Sequence, residues 1–223
     1  MITIEDQNDL LTAIGRELEK PITAYAIGGT AMMFLGMKEA TLDIDIVFTN
    51  EADRETFIEA ITKIGYRKFS SSIVYGVKSN QPKMFILGNE RFDLFLTDVI
   101  DFVFSENMQK RFTQIHEFGK NLKLLIAHPQ DMILMKCATD RAKDLDDAIR
   151  IVGSQNIDWD ALIEEAKLQV SLGRKDAFFE LGEFLENIKK INDIPPKEAL
   201  DRLYDLTMKE LEKRKQAADN PKS

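Results

Sequence analysis

The sequence has few of the residues that build disulfides or zinc sites. It contains one cysteine, Cys137, and two histidines, His116 and His128, among 223 residues. A lone cysteine cannot form an internal disulfide, which fits a reducing compartment. The cysteine and the histidines also lack the spacing that is typical of zinc ligands. These absences exclude a disulfide-stabilised secreted scaffold and a Cys/His zinc module.

Long apolar runs and an excess of basic charge are missing as well. No apolar stretch reaches the roughly 18 residues of a membrane span, and Glu5, Asp6 and Asp9 interrupt the N-terminus, so that no signal peptide is visible. We therefore expect a cytoplasmic protein that binds no membrane. The formal net charge of -8 argues against broad, nonspecific binding of a polyanion, because phosphate backbones are bound by an excess of Lys and Arg. A local basic groove is compatible with this charge.

The length and the apolar content set the size of the core. With 223 residues, 44% of them hydrophobic, the chain has room for one domain and a smaller appendage. We place the boundary at Gly153-Ser154, which predicts a domain over residues 1–152 and a helical region over residues 153–223. The second region shows three helical patterns, over residues 157–170, 174–191 and 196–213.

Local patterns predict the remaining elements of the larger domain. Helices are predicted over residues 6–19 and after Asn50, which can act as an N-cap. A turn or helix is predicted over residues 102–110. The strand patterns cover residues 66–69, 72–77, 83–87, 92–97, 114–118 and 122–126.

A pair of aspartates stands in an apolar strand pattern over residues 43–48. Side chains alternate between faces in an extended strand, so Asp43 and Asp45 project together. The positions of the opposite face are predicted to point into a core: Leu42, Ile44, Ile46 and Phe48. Two carboxylates about 6 to 7 Å apart suit one or two hard divalent cations, which prefer oxygen ligands.

A glycine pair precedes these aspartates. Gly28 and Gly29 end an apolar strand pattern, and a short helix is predicted from Thr30 to Met37. Glycine leaves the backbone N–H groups unobstructed, and the positive end of a helix dipole behind them favours a phosphate. A phosphate-binding turn beside a metal-binding carboxylate pair is typical of phosphoryl or nucleotidyl transfer. A structural interpretation stays open, in which Thr30 simply caps the helix.

Three motifs follow one another in residues 22–152: Gly28-Gly29-Thr30, then Asp43-x-Asp45, then Asp93 in the strand pattern Arg91-Phe92-Asp93-Leu94-Phe95. This order resembles the DNA polymerase β-like nucleotidyltransferase superfamily. Within it, residues 129–136 and 141–147 look like the branch of AbiEii-type toxins and uncharacterised prokaryotic nucleotidyltransferases. The superfamily more often has Gly-Ser where this chain has Gly29-Thr30, and threonine keeps the hydroxyl.

The resemblance implies a fold and an activity. The fold is α+β, a mixed β-sheet nucleotidyltransferase core flanked by helices, with a C-terminal helical bundle. The activity is transfer of an NMP group from an NTP to a hydroxyl acceptor, dependent on Mg²⁺ or Mn²⁺, with release of pyrophosphate. The acceptor could be tRNA, a protein side chain or a small molecule. An interpretation of a different class is a non-catalytic module of the same fold that pairs with a protein partner, as in a toxin–antitoxin-like system.

The resemblance also implies roles for individual residues. Asp43, Asp45 and Asp93 would bind the metal, and Asp93 would help to deprotonate the acceptor. Lys136 would neutralise phosphate charge during the reaction. The implied nucleotide-binding residues are Gly28, Gly29, Thr30, Lys136 and Asp144.

Each of these roles has a structural alternative. Asp93 could instead form a salt bridge at the end of its strand, with Arg91 or Lys83. Lys136 could pair with Asp140 or Asp144, because an unpaired charge in an apolar stretch is costly.

The helical pattern from Pro129 to about residue 152 has no internal glycine or proline, so we predict one unbroken helix. On such a helix five charged residues would share one face: Lys136, Asp140, Lys143, Asp144 and Asp147. Whether Asp144 or Asp147 serves the site stays open.

Overall fold

The structure is a computed structural model, and it describes residues 1–76, 80–139 and 141–219. These residues form an α+β fold with a mixed sheet and a helical C-terminal region, as predicted. The chain divides into two compact units, Met1–His128 and Pro129–Ser223. Residues 129–152, which we predicted as part of the larger domain, thus lie in the second unit. The functional domains over residues 1–152 and 153–223 stay a prediction.

The first unit is built on a mixed sheet. In the described residues a short pair, β1 (Ile2–Thr3) with β3 (Ala40–Thr41), stands apart from it. The strands of the large sheet are β2 (Ile22–Ala26), β4 (Ile44–Phe48), β5 (Arg67–Phe69), β6 (Lys83–Leu87), β7 (Glu90–Leu96), β8 (Asp98–Val99), β9 (Phe102–Val103), β10 (Gln114–Phe118) and β11 (Leu122–Ile126). The main order is β10-β11-β2-β4-β7-β6-β5, with β8 and β9 continuing from β7. Pairs β11–β2 and β4–β7 are parallel, and the other pairs are antiparallel.

The helices of the first unit are α1 (Ile4–Glu17), α2 (Gly28–Phe34), α3 (Glu51–Lys63), α4 (Ser72–Tyr75) and α5 (Glu106–Lys110). Thr3 and Asp6 form a capping box at the start of α1. Asn50 caps α3 as predicted, since its side chain accepts a hydrogen bond from the Asp53 N–H. The predicted turn or helix over residues 102–110 is β9 followed by α5.

An aromatic core lies under the two central strands. Phe48 of β4 packs against Phe57 of α3, whose ring contacts Phe92 of β7 edge-on. Tyr66 contacts Phe92 from another side. All four rings are buried. This apolar layer fixes one face of β4 and β7, so their alternate side chains must project from the other face.

Several predicted elements have different bounds. Residues 72–77 are not a strand, because Ser72–Tyr75 form α4, in which the Tyr75 N–H donates to the Ser71 carbonyl; Val77 lies outside the described residues. The β-branched residues Ile73 and Val74 favour a strand by their propensity. In the fold the segment is instead a helical turn, from which the Tyr75 hydroxyl donates to Asp93. The helix predicted over residues 30–37 covers Gly28–Phe34.

Leu42 was predicted to face the core, and this prediction is wrong. Its exposed fraction is 63%, because β4 begins only at Ile44 and the alternation of the strand does not extend back to Leu42. The other three members of the predicted core face, Ile44, Ile46 and Phe48, are fully buried.

The second unit is helical. Its helices are α6 (Pro129–Cys137), α7 (Ala142–Ser154), α8 (Trp159–Ser171), α9 (Ala177–Ile191) and α10 (Lys197–Asp219). The prediction of one unbroken helix from residue 129 to 152 is wrong, because Arg141 is extended at the start of α7. Thr139 and Arg141 donate side-chain hydrogen bonds to Asp144 at this turn, and such bonds compete with a continuous helix. Within the described ranges, no helix combines the length and the apolar character that crossing a membrane requires.

Candidate active site

The register of β4 and β7 brings the predicted aspartates together. The two strands are parallel, and Asp45 lies directly beside Asp93 in the pairing. Asp43 immediately precedes Ile44, the first residue of β4. One ligand oxygen from each of Asp43, Asp45 and Asp93 lies within 4.8 Å of the others. The fold therefore brings the three carboxylates together in one cluster.

Asp93 is the most buried member of the cluster. Its exposed fraction is 0%, compared with 8% for Asp43. Burial raises the pKa of Asp93, and the neighbouring Asp43 raises it further, although Tyr75 and Arg91 act in the opposite direction. Gathering the carboxylates here therefore has a cost, which a bound cation would offset.

Arg91 joins two of the three carboxylates. Its Nη2 donates to Asp43 Oδ2 and, at 3.1 Å, to Asp93 Oδ2, and its Nε lies 3.0 Å from Asp93 Oδ1. The pKa of Arg91 is raised: burial would lower it, and the two aspartates more than offset that effect. The salt bridge that we considered as a structural alternative for Asp93 is thus present, with Arg91 as the partner. It forms within the three-carboxylate cluster. Lys83 pairs with Glu51 and Glu55.

Tyr75 is a site residue that the sequence interpretation missed. Its hydroxyl donates a 2.6 Å hydrogen bond to Asp93 Oδ2, and its ring contacts Phe95 edge-on. Burial first, and then Asp45 and Asp93, raise the pKa of Tyr75, so it stays a neutral donor. No local signal pointed to Tyr75. Arg91 did carry one, because residues two apart in a strand share a face.

The glycine pair lies against the cluster. Gly28 has φ +54°, and a Cβ there would lie 2.6 Å from Asp45 Oδ2. A Cβ on Gly29 would lie 2.6 Å from Thr41 Oγ1. Both distances are too short for a Cβ unless the opposing side chain moves, and the positive φ of Gly28 itself favours glycine at the start of α2. The Ile27 N–H, just before the helix, donates to the Asp45 carbonyl at 3.2 Å.

Thr30 has a different structural role from the one considered. Its Oγ1 accepts a 2.9 Å hydrogen bond from the Asp45 backbone N–H, and the residue is fully buried. The N-cap of α2 is Ile27, so the interpretation of Thr30 as a helix cap is wrong. Thr30 ties α2 to the acidic strand. A contact from its hydroxyl to a phosphate stays a prediction.

Lys136 belongs to a second charged cluster, in the second unit. Its Nζ lies 3.0 Å from Asp144 Oδ1 and 2.8 Å from Asp147 Oδ2, and all three residues are buried. Burial would raise the pKa of Asp144, but Lys136, Thr139 and Arg141 hold it below its usual value. The pairing alternative for Lys136 is therefore present, with Asp144 and also with Asp147.

Two predictions about this second cluster are not decided by these contacts. The roles of Lys136 and Asp144 in nucleotide binding stay predictions. Asp140, the other partner considered for Lys136, lies outside the described residues.

The donors of the first cluster fit a small divalent cation. All three are carboxylates, the hard oxygen ligands that Mg²⁺ and Mn²⁺ prefer. Neighbouring oxygens around Mg²⁺ lie roughly 3 Å apart and opposite ones roughly 4 Å apart. The observed spread of up to 4.8 Å requires only a small contraction to reach those distances.

A comparison with protein-family models supports the nucleotidyltransferase resemblance. A family described as "Nucleotidyltransferase of unknown function (DUF6036)" matches residues 11–178. No curated protein matches the chain. Among solved structures, the crystal structure of ANT(2")-Ia in complex with adenylyl-2"-tobramycin is similar with a TM-score of 0.42 and 14% identity, covering 81% of this chain and 97% of that one.

Proposed function

This chain belongs to the family of nucleotidyltransferases of unknown function, and we propose that it transfers an NMP group from an NTP to a hydroxyl acceptor, with release of pyrophosphate. The family match supports nucleotidyl transfer in general. The metal dependence, the site residues and the hydroxyl acceptor are the specific content of the proposal.

One observation supports these specifics above all others. Asp45 and Asp93 are register partners on parallel strands, and Asp43 adds a third carboxylate oxygen within 4.8 Å. The three residues are up to 50 positions apart in the chain, and the fold gathers them in spite of their mutual repulsion. The three carboxylates share one guanidinium, that of Arg91, so the cluster keeps an excess of negative charge, which favours a binding function over a structural one.

Asp43, Asp45 and Asp93 would hold Mg²⁺ or Mn²⁺. When bound, such a cation polarises phosphate oxygens and stabilises the charge on the attacking and leaving oxygens. Asp93 would also help to deprotonate the acceptor hydroxyl, and Tyr75 would orient its carboxylate through the 2.6 Å hydrogen bond. The Thr30 hydroxyl holds the Asp45 backbone in register with α2.

The nucleotide phosphates would bind beside the cluster. Gly28 and Gly29 present backbone with no side chain next to Asp45, which favours close approach of a phosphate. The proposal keeps Thr30, Lys136 and Asp144 as nucleotide-binding residues. The most specific part of the proposal is that the chain belongs to the AbiEii-type branch and acts in a toxin–antitoxin-like system.

A labelled-NTP transfer assay tests the proposal. Each α-labelled NTP is incubated with total RNA, total protein and a panel of small hydroxyl compounds, with Mg²⁺ or with EDTA. We expect Mg²⁺-dependent incorporation by the wild type and none by the double variant Asp43→Asn/Asp45→Asn. The matched control is Asp9→Asn/Asp146→Asn, which removes the same charge at two exposed positions.

Two results would contradict the proposal. Incorporation that survives the loss of Asp43 and Asp45 would remove the cluster from the reaction. Release of orthophosphate in place of pyrophosphate would indicate hydrolysis, as in a nuclease or phosphatase with the same metals. A copurifying protein partner together with no metal binding would favour the non-catalytic module.

A further inference from the structure

We propose that Arg91 competes with the metal: its guanidinium pairs with Asp43 and Asp93 in the metal-free protein and must leave them when a divalent cation binds. The inference rests on the metal site of the proposed function and describes how loading of that site is controlled. It makes Arg91 a residue that sets metal affinity.

The contacts place Arg91 on the same groups that would bind the metal. Nη2 donates to the Asp43 carboxylate, while Asp93 is contacted through both of its oxygens, Oδ1 at 3.0 Å and Oδ2 at 3.1 Å. The Asp93 carboxylate also accepts the Tyr75 hydrogen bond. A metal ion bound through Asp43 Oδ2 and Asp93 Oδ2 would therefore need lone pairs that now accept hydrogen bonds from the guanidinium.

Arg91 is anchored next to the cluster by the strand. It lies two residues before Asp93 in β7, so the two side chains leave the same face about 6 to 7 Å apart. This spacing keeps the guanidinium at a high local concentration around the carboxylates. The Arg91 side chain is only 23% exposed, so the ion pairs are less screened than pairs on the surface.

A divalent cation and the guanidinium exclude each other at these oxygens. Two positive groups held within a few ångströms in a partly buried site repel each other strongly. The observed metal affinity is then the intrinsic affinity of the cluster reduced by the fraction of molecules in which Arg91 has left. Removal of Arg91 should therefore tighten metal binding, even though it removes a partner from two aspartates.

Titration of Mn²⁺ into the full chain, followed by calorimetry and by the EPR signal of free Mn²⁺, measures this effect without any activity assay. We expect Arg91→Gln to bind Mn²⁺ roughly tenfold or more tightly than the wild type. Lys83→Gln is the matched control, because Lys83 lies in the same unit and pairs with Glu51 and Glu55. Its affinity should stay within about twofold of the wild type.

The outcomes separate this inference from the proposed function. Equal or weaker Mn²⁺ binding by Arg91→Gln, with clear binding by the wild type, would overturn the role of Arg91 and leave the metal site standing. No Mn²⁺ binding by either protein would overturn both. Tighter binding by Lys83→Gln to the same extent would show a general charge effect and would also overturn the role of Arg91.

A second measurement uses the wild type alone, in case Arg91→Gln does not fold. The Nε–H group of Arg91 is buried against Asp93, so its ¹⁵N-labelled signal should exchange slowly with solvent in the metal-free protein. Saturating Mg²⁺ should shift that signal and speed its exchange as the guanidinium leaves. Arg91→Lys identifies the signal, and a signal that Mg²⁺ does not change would overturn the proposal.

Discussion

Among the residues that the structure describes, a buried charged cluster in the first unit and one in the second differ in their balance of charge. In the first unit three carboxylates converge, and burial with a neighbouring carboxylate raises the pKa of Asp93. In the second unit Lys136 lies between Asp144 and Asp147, and the nearby cations and the Thr139 hydroxyl hold the pKa of Asp144 below its usual value, against the effect of burial. The first cluster has three carboxylates for one guanidinium, Arg91, whereas the second balances two carboxylates with Lys136 and Arg141.

This contrast teaches how to separate a binding site from a structural salt bridge. Removing one partner from a buried, hydrogen-bonded ion pair, such as those of Lys136, destabilises a fold because it leaves a charge buried without compensation. A fold is also destabilised when carboxylates are gathered, and such an arrangement is typical of sites where function requires it. Substitutions in the first cluster should therefore abolish metal-dependent transfer without lowering stability, whereas substitutions in the second should lower stability in addition to weakening nucleotide binding.

The largest effect is expected from Asp45→Asn. The substitution removes one carboxylate from the metal site, and we expect transfer activity to fall on the order of a thousandfold. The thermal midpoint of the metal-free protein should stay the same or rise, because a repulsive neighbour of Asp93 is gone. A transfer assay with Mg²⁺ checks the loss of activity, and thermal unfolding in EDTA checks the thermal midpoint of the metal-free protein. A variant that keeps its activity, or whose thermal midpoint lies well below that of the wild type, would contradict the proposed difference between the two clusters.

Next in size is Lys136→Met. The substitution leaves Asp144 and Asp147 buried without their lysine, and we expect a loss of about 3 kcal/mol in the free energy of unfolding. Lys143→Met on exposed α7 surface is the control and should change that free energy by less than about 0.5 kcal/mol. Urea unfolding measures both. Equal stability of the two variants would show that the second cluster is not a structural salt bridge.

A smaller effect is expected from Gly28→Ala. The methyl group would lie 2.6 Å from Asp45 Oδ2 if nothing moved, and φ is +54°, so the start of α2 or the carboxylate must shift. We expect a loss of about 1 to 2 kcal/mol in stability together with weaker Mn²⁺ binding. Gly36→Ala is the control, since Gly36 also has positive φ but no atom within 4 Å of its added Cβ. Similar Mn²⁺ affinities for both variants would show that the conformation at Gly28 does not affect the three-carboxylate cluster.

The smallest effect is a pH dependence of the second cluster. The folded-state pKa of Asp144 is lowered, so its stabilising contribution is present above the unfolded value of 3.8 and is lost as pH falls through the folded value. The stability difference between wild type and Asp144→Asn should thus be constant near neutral pH and shrink below about pH 4. Urea unfolding at several pH values measures it. A difference that grows on acidification would contradict the pairing.

The sequence allowed prediction of the site where the signal is local. Alternation in β4 placed Asp43 and Asp45 together, and the spacing in β7 put Asp93 opposite its apolar neighbours. The step from pair to cluster also needed β4 and β7 to be adjacent, which no local pattern in the sequence specifies. Strands β6, β10 and β11 have the predicted bounds, because β6 and β11 are short, mostly apolar runs and the turn Gly119-Lys120-Asn121 separates β10 from β11.

The parts that were missed depend on contacts between distant segments. Tyr75 reaches Asp93 from a helix whose residues Ile73 and Val74 favour a strand, so no local pattern could identify it. The break between α6 and α7 follows from the side chains that meet Asp144, in a stretch without glycine or proline. The pairing of Arg91 with Asp43 joins residues 48 positions apart.

Direct measurement of Mn²⁺ binding tests the central claim, that the three aspartates of the first unit form a metal site. EPR titration of the wild type, Asp43→Asn/Asp45→Asn and Lys136→Met compares the two clusters in one experiment. We predict binding by the wild type and by Lys136→Met, and loss of binding in the double aspartate variant. Undiminished binding in the double variant would show that the metal binds elsewhere, and the account of the site would be wrong.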